Sequence, residues 1–262
     1  MSKLADLAAQ RFGMDTNVAE VEEGPGRETL AALLSHRTHR RFLDDPVAED
    51  TMNLLYACAL SAPAKSDLQQ IAIIRVQDPG KRRAIADLMP EMGWIGTCPV
   101  FLLFCGDSRR IRKLCQLREH EFANDHLDAF MNAAVDTALV MQNFITAAEA
   151  AGLGCCPISV VRNHIDRIAD ITSLPEFVFP VAGMCLGHPA HAGFTSTRLP
   201  PEMVVHMDQY DDSRLPEQID AYDHRRNGIY TIPSEKYRMT QEYGKPDFYG
   251  WSEDKTRQVS VR

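Results

Sequence analysis

The chain has 262 residues, 45% hydrophobic and 24% charged, which suits one large or two small globular domains and excludes a disordered or collagenous chain. Its 28 Lys and Arg against 36 Asp and Glu leave a net charge of −8, so neither nucleic acid nor an anionic membrane surface is an expected partner, since both attract cationic surfaces. No apolar run approaches the roughly 20 residues of a bilayer-spanning helix, and the first residues carry no apolar core of a secretory leader, so a cytoplasmic protein is expected.

From the N-terminus, residues 1–13 are predicted as a short amphipathic helix, with Leu4, Leu7, Ala8 and Phe12 on one face and Gly13 as its stop. Residues 14–27 read as a loop ending in Gly24-Pro25-Gly26. A second helix is predicted from about Glu28 to His36, with Leu30, Leu33 and Leu34 inward. A third is predicted from about Glu49 to Ser61, with Met52, Leu55, Tyr56 and Ala59 inward. Ile71 to Val76 is the first strand, after which Asp78-Pro79 opens a helix as N-cap and first helical residue. Pro99 to Cys105 is apolar on both faces and so a central strand, followed by a basic helix from about Arg109.

The long helix predicted from about Asn124 to Ala150 is the most informative element. Leu127, Phe130, Met131, Ala134, Ala138, Met141, Ile145 and Ala148 recur at helical spacing, and Val135, Leu139, Val140 and Phe144 widen the stripe. So broad an apolar surface needs cover from its own domain or from a second subunit. Gly152 and Gly154 end the helix, and Cys155 to Val161 reads as short and extended. Asn163 with Asp166 suggests an N-cap and a helix to about Thr172, and Phe179 to Leu186 is another apolar strand. Residues 208–223 carry six acids against one base and read as a solvated segment, beyond which regularity is weak and the chain reads as an extended arm. One sheet sandwiched by helices, α/β or α+β, follows.

Five constellations are candidates for chemistry. His36-Arg37-Thr38-His39-Arg40-Arg41 concentrates positive charge in an acidic chain, as a cradle for a phosphate dianion or as a solvated basic loop. Ser61 to Gln69 is rich in small and short polar residues, so its backbone can approach a planar ligand, with Gln69 as donor and acceptor; an ordinary helix-to-strand connection is the plainer reading. Gly152-Leu153-Gly154 neither follows a strand nor opens a helix, so it is no dinucleotide fingerprint. Cys156 beside it is a nucleophile or a packed apolar cysteine. Arg198, after Ser196, is a second phosphate donor or a surface arginine. Glu119, His120, Glu121, Asp125 and His126 lack metal-ligand spacing. The seven cysteines contain no C-x-x-C pair, so no zinc site is expected, and unpaired thiols suit a reducing cytosol.

Four motifs in register, three of them in these segments, resemble the FMN-dependent nitroreductase family, in particular its NADPH-linked flavin reductase and oxygen-insensitive nitroreductase branch. His36, Arg37, Thr38, Arg40 and Phe42 are similar to the family's H-R-[ST]-x-R-x-F pattern. Gly152-Leu153-Gly154 with Arg162-Asn163 is similar to its glycine turn and following R-N pair. Leu174 to Pro189 resembles the branch's L-P-x-x-V-F-P-x-x-G-x-x-x-G-x-P, and Arg198-Leu199-Pro200 its R-L-P. The resemblance implies an α+β fold, a central mixed sheet sandwiched by helices with an extended C-terminal arm. It implies residues 1–27 as an extension, 28–210 as the FMN-binding domain and 211–262 as an arm around the partner of a homodimer.

The site implied by the resemblance is cofactor-binding, with no separate catalytic dyad and no metal. His36, Arg37, Thr38 and Arg40 would hold the FMN phosphate and ribityl chain, joined by Ser196 and Arg198. Ala64, Lys65, Ser66 and Gln69 would meet the ribityl chain and ring edge from the partner subunit. Pro157, Ile158 and Ser159 would present backbone to the ring, and because proline has no N–H, any hydrogen bond to flavin N5 falls to Ile158 or Ser159. The implied activity is ping-pong hydride transfer from NADPH or NADH to nitroaromatics, quinones or free flavin. Alternatives are a reductive dehalogenase, a flavin-consuming biosynthetic enzyme, a flavin carrier or sensor, and a thiol hydrolase using Cys156.

Overall fold

The computed structural model describes residues 3–260. Met1, Ser2, Val261 and Arg262, the outermost ends of the expected extension and arm, lie outside the described residues. In chain order the helices are α1 (Leu4–Phe12), α2 (Pro25–Leu34), α3 (Glu49–Leu60), α4 (Pro79–Asp87), α5 (Trp94–Thr97), α6 (Arg109–Leu117), α7 (Leu127–Ala150) and α8 (Ile165–Thr172). They are followed by α9 (Leu215–Ile229), α10 (Thr240–Tyr243) and α11 (Trp251–Val259). The strands are β1 (Ile71–Arg75), β2 (Val100–Asp107), β3 (Gly154–Ile158) and β4 (Val178–Gly187). The chain forms two units, one from His36 to Phe194 and one from its two ends.

The first unit holds a sheet of order β1-β2-β4-β3. All eight β2 positions are buried, as its two-sided apolar sequence predicts for a central strand. Alternation sorts its side chains. Leu102 and Phe104 join Met52, Leu55, Val140 and Phe144 under α3 and α7. Phe101 and Leu103 join Ile85, Ile95 and Ile168 under α4, α5 and α8. The sheet is therefore sandwiched as expected. Its mixed character is narrower than expected: β1–β2, β2–β4 and β3–β4 are all antiparallel, and the parallel pairing among the described residues is one bridge, Thr38 to Cys155.

Local signals held where they were chemical. Asp78 accepts the Lys81 N–H at 2.8 Å, with Pro79 at the first helical position. Gly13 ends α1 at φ 68°, its N–H on Ala9 O at 2.8 Å. Elsewhere tertiary context moved the boundaries. α7 begins at Leu127, with the His126 ring accepting the Asp128 N–H at 3.3 Å, later than predicted. Ser159–His164 is a 3₁₀ turn rather than extended chain, and His164, not Asn163, precedes α8. α2 starts at Pro25 and ends before His36, and Leu30 and Leu33 are exposed rather than inward. Arg27 is the buried residue of that helix, within 3.6 Å of Glu20 and 3.7 Å of Glu23.

In the unit of the two ends, Arg11 donates through Nε and Nη2 to Leu34 O (3.1 and 2.8 Å) and through Nη1 to Ser196 O at 2.8 Å. The expected arm beyond Asp223 carries helices, the end of α9, then α10 and α11, joined by irregular chain. Asp223 is buried, accepts the Ser252 N–H at 3.0 Å and bonds the Ser252 hydroxyl, starting α11. Tyr222 packs edge-on to Trp251, ring centroids 5.4 Å apart.

Candidate functional site

The two histidines of the basic segment are inward-facing anchors. His36 Nδ1 donates to Glu149 Oε1 at 2.7 Å, and the Arg37 N–H reaches the same oxygen at 3.4 Å. The His39 N–H donates to Cys155 O at 2.9 Å, tying the segment to β3. Burial holds the His39 pKa below the usual histidine range. A Cβ on Gly154 would sit 2.8 Å from His39 Cγ, so the second glycine of the Gly-Leu-Gly turn exists for this close approach. Gly152 takes φ 76° at the exit of α7.

The arginines are left for other work. Arg37 Nη1 donates to Ala192 O at 3.0 Å, while its Nε is buried without a partner. The Arg40 guanidinium lies 5.9 Å from the Trp94 ring centroid. Among the described residues no carboxylate comes within ion-pair distance of either. The parallel bridge at Thr38 and Cys155 sets the segment against β3. Arg40 is close enough for its charge to act on the Cys156 thiol. At the end of β3, Pro157 and Ser159 are exposed and Ile158 is buried. The structure thus brings together His36, Arg37, Thr38, Arg40, Pro157, Ile158 and Ser159.

The second segment sits elsewhere on α7. Asp136 accepts the Lys65 N–H at 2.9 Å and the Gln70 N–H at 3.1 Å. Between them Lys65 Nζ donates to Ser66 Oγ at 3.2 Å, and Gln69 Nε2 to Asp67 Oδ1 at 2.9 Å. Ala64 precedes this turn, half-buried. Asp136 and Glu149 are 13 positions apart on one helix, or about 20 Å at 1.5 Å per residue. Within one subunit Ala64, Lys65, Ser66 and Gln69 are therefore not joined to the basic segment. Gln69, with Tyr56, Ile73 and Arg110, lines a cleft of about 600 Å³.

Ser196 and Arg198 belong to the other unit, where Arg198 Nη1 donates to Ser196 Oγ at 2.6 Å and Ser196 O at 3.3 Å. Burial raises the Cys156 thiol, with the Arg40 charge acting against it, which removes the reactive thiolate a hydrolase needs. Burial likewise pushes Cys105 up to about 12. Among the described residues no group of His, Cys, Asp and Glu could hold a metal ion, and no helix is long and apolar enough to cross a membrane.

Sequence reasoning missed Glu149 and Asp136. Both carry a signal. Glu149 sits in the last turn of a helix, where the macrodipole disfavours an acid. Asp136 interrupts an otherwise apolar run, a placement that requires buried partners.

Two arginines with no carboxylate within ion-pair distance among the described residues, a buried unmet Arg37 Nε and an exposed strand end fit a ligand bearing a phosphate and a planar ring. The nitroreductase family pattern matches residues 33–188, and that family's C-terminal domain matches residues 196–262. The chain is 35% identical over 200 residues to an FMN reductase [NAD(P)H] of Bacillus subtilis (strain 168), covering 75% of this chain and 80% of the relative. It is 34% identical over 200 residues to the oxygen-insensitive NADPH nitroreductase of Salmonella typhimurium, covering 74% and 82%. Among solved structures it is similar to the NADPH:FMN oxidoreductase of Vibrio harveyi complexed with NAD+, with TM-score 0.77 and 28% identity over 89% of this chain and 92% of that one. Nitroreductase A of Vibrio parahaemolyticus gives TM-score 0.78 and 29% identity over 89% and 91%.

Proposed function

The chain belongs to the nitroreductase family, and on that premise we propose how its own residues serve the reaction. It is an FMN-dependent NAD(P)H oxidoreductase. Bound FMN supplies the ring that takes and gives hydride, which is why no acid–base dyad is needed in the protein.

Arg37 and Arg40 grip the phosphate with paired donors, Thr38 adds a hydroxyl, and His36, held by Glu149, fixes the segment's backbone. Arg198, with Ser196, is assigned to the same phosphate on the resemblance of Arg198-Leu199-Pro200 to the family pattern. Ile158 or Ser159 would donate the backbone hydrogen bond to the flavin ring that Pro157, lacking an N–H, cannot. Ala64, Lys65, Ser66 and Gln69 meet the ribityl chain and ring edge from a second subunit. The observation that carries this reading is the pair of arginines without carboxylate partners beside the exposed end of β3.

The protein works as a homodimer in this reading. Leu127 and Met131 of α7 are 77% and 60% exposed, while Ala133, Val140 and Phe144 on its inner side are buried. An apolar stripe left outward on a helix whose inner side is already packed into its own core is the pattern of an interface. The same pairing brings one subunit's Lys65–Gln69 to the other's basic segment. Residues 1–27 extend the FMN-binding domain of 28–210, and 211–262 embrace the partner. Nitroaromatics, quinones or free flavin are the acceptors, and the unpaired cysteines suit the cytoplasm.

The test is anaerobic addition of NADPH to the yellow protein. Bleaching, followed by recovery of colour on adding a quinone or nitroaromatic, is expected. Colour that persists with either nicotinamide would make the protein a flavin carrier.

A further inference from the structure

The turn from Ala64 to Gln70 keeps a shape that its own backbone disfavours. Ser66, Asp67 and Gln69 take φ values of 49°, 57° and 51°. Non-glycine residues visit this left-handed region at a cost, and remain there when their surroundings over-determine it. Here the surroundings are largely one carboxylate. Asp136, 1% exposed, holds the Lys65 N–H with Oδ1 and the Gln70 N–H with Oδ2, at 2.9 and 3.1 Å. Both ends of the strained stretch are gathered onto one side chain that lies 71 and 66 residues away in sequence. Arg110 braces the exit, donating to Gln69 O at 2.7 Å and Ile71 O at 2.9 Å, and is itself paired with Asp107 at 2.9 Å.

We propose that Asp136 is a positioning residue of the cofactor site, its buried carboxylate setting Lys65, Ser66 and Gln69 in the conformation that meets the flavin. This rests on the reading of that turn as a cofactor contact. Nothing in the turn's own sequence specifies three left-handed residues, so the geometry is imposed from α7. Asparagine at 136 keeps the size and one acceptor but aims an amino group at one of the two backbone N–H groups.

The test titrates FMN and riboflavin into apoprotein of the full chain carrying Asp136→Asn or Gln69→Ala. It also records the visible circular dichroism of bound FMN and amide exchange at residues 65–70. Asp136→Asn is expected to weaken both flavins about tenfold or more, to deprotect those amides and to reduce the flavin dichroism. Thermal melting separates the roles: a purely structural Asp136 lowers the melting temperature of Asp136→Asn and leaves the dichroism of bound FMN as in the parent, which would overturn the positioning role. If Asp136→Asn does not fold, Arg110→Gln, which loosens the same turn from its half-exposed side, is expected to shift both flavins in the same direction. If Gln69→Ala weakens flavin binding while Asp136→Asn, or Arg110→Gln in its place, matches the parent in affinity and dichroism, the positioning role is overturned and the contact stands. If Gln69→Ala also matches the parent, the turn is no cofactor contact and both ideas fall.

Discussion

His36–Arg40 and Lys65–Gln69 are both tied to the long helix α7, yet by opposite means. The first is a backbone without left-handed residues, anchored through His36 and His39, and among the described residues its arginines have no carboxylate within ion-pair distance. The second is a strained backbone clamped through its amides by Asp136, with its short polar side chains turned onto one another. In the proposed site the first segment recognises charge and the second presents a shape. A phosphate tolerates some slack in long flexible guanidinium arms, whereas contact with a rigid planar ring does not, so strain is spent where geometry matters more.

The harshest way to break this comparison is to separate the subunits. Met131→Lys with Val135→Glu places charge on the exposed apolar face of α7. Sedimentation should then show monomers, and FMN affinity should fall by more than about a hundredfold, because one of the two segments has left with the partner. A double variant that stays dimeric, or a monomer that binds FMN normally, would refute the shared site.

A sharper cut separates charge from shape. Arg40→Ala should weaken FMN about ten- to a hundredfold, as expected for losing hydrogen bonds to a phosphate of nearly two charges, and leave riboflavin almost unchanged. Arg198→Ala should behave alike if its pattern match reports the same phosphate. Equal loss of FMN and riboflavin would mean that the arginines support the fold instead.

The smallest effect is expected at Cys156. Burial raises its thiol, which disfavours the thiolate, and the proposed hydride transfer uses no thiol. Cys156→Ser should retain flavin and most NADPH turnover. Loss of turnover with flavin still bound would count against the cofactor as sole carrier of the chemistry.

Wherever a residue's role depends on its immediate neighbours, the sequence alone determined it. Asp78-Pro79 capped a helix, Gly13 stopped one, and Pro99 to Cys105, apolar on both faces, fell in the central strand β2. Short patterns in register made the basic segment and the end of β3 candidates for one site, and the His39 N–H on Cys155 O ties the two segments together. Tertiary structure decided what depends on distant partners. Only folding showed that the apolar surface of α7 divides into an inner and an outer face, that Asp136 holds a turn 66 residues upstream, and that Asp223 nucleates a helix where the sequence read as an extended arm. The physical reason is common to all three. A buried carboxylate or an exposed apolar stripe makes sense only through the group that satisfies it, and that group is brought near by the fold, not by the chain.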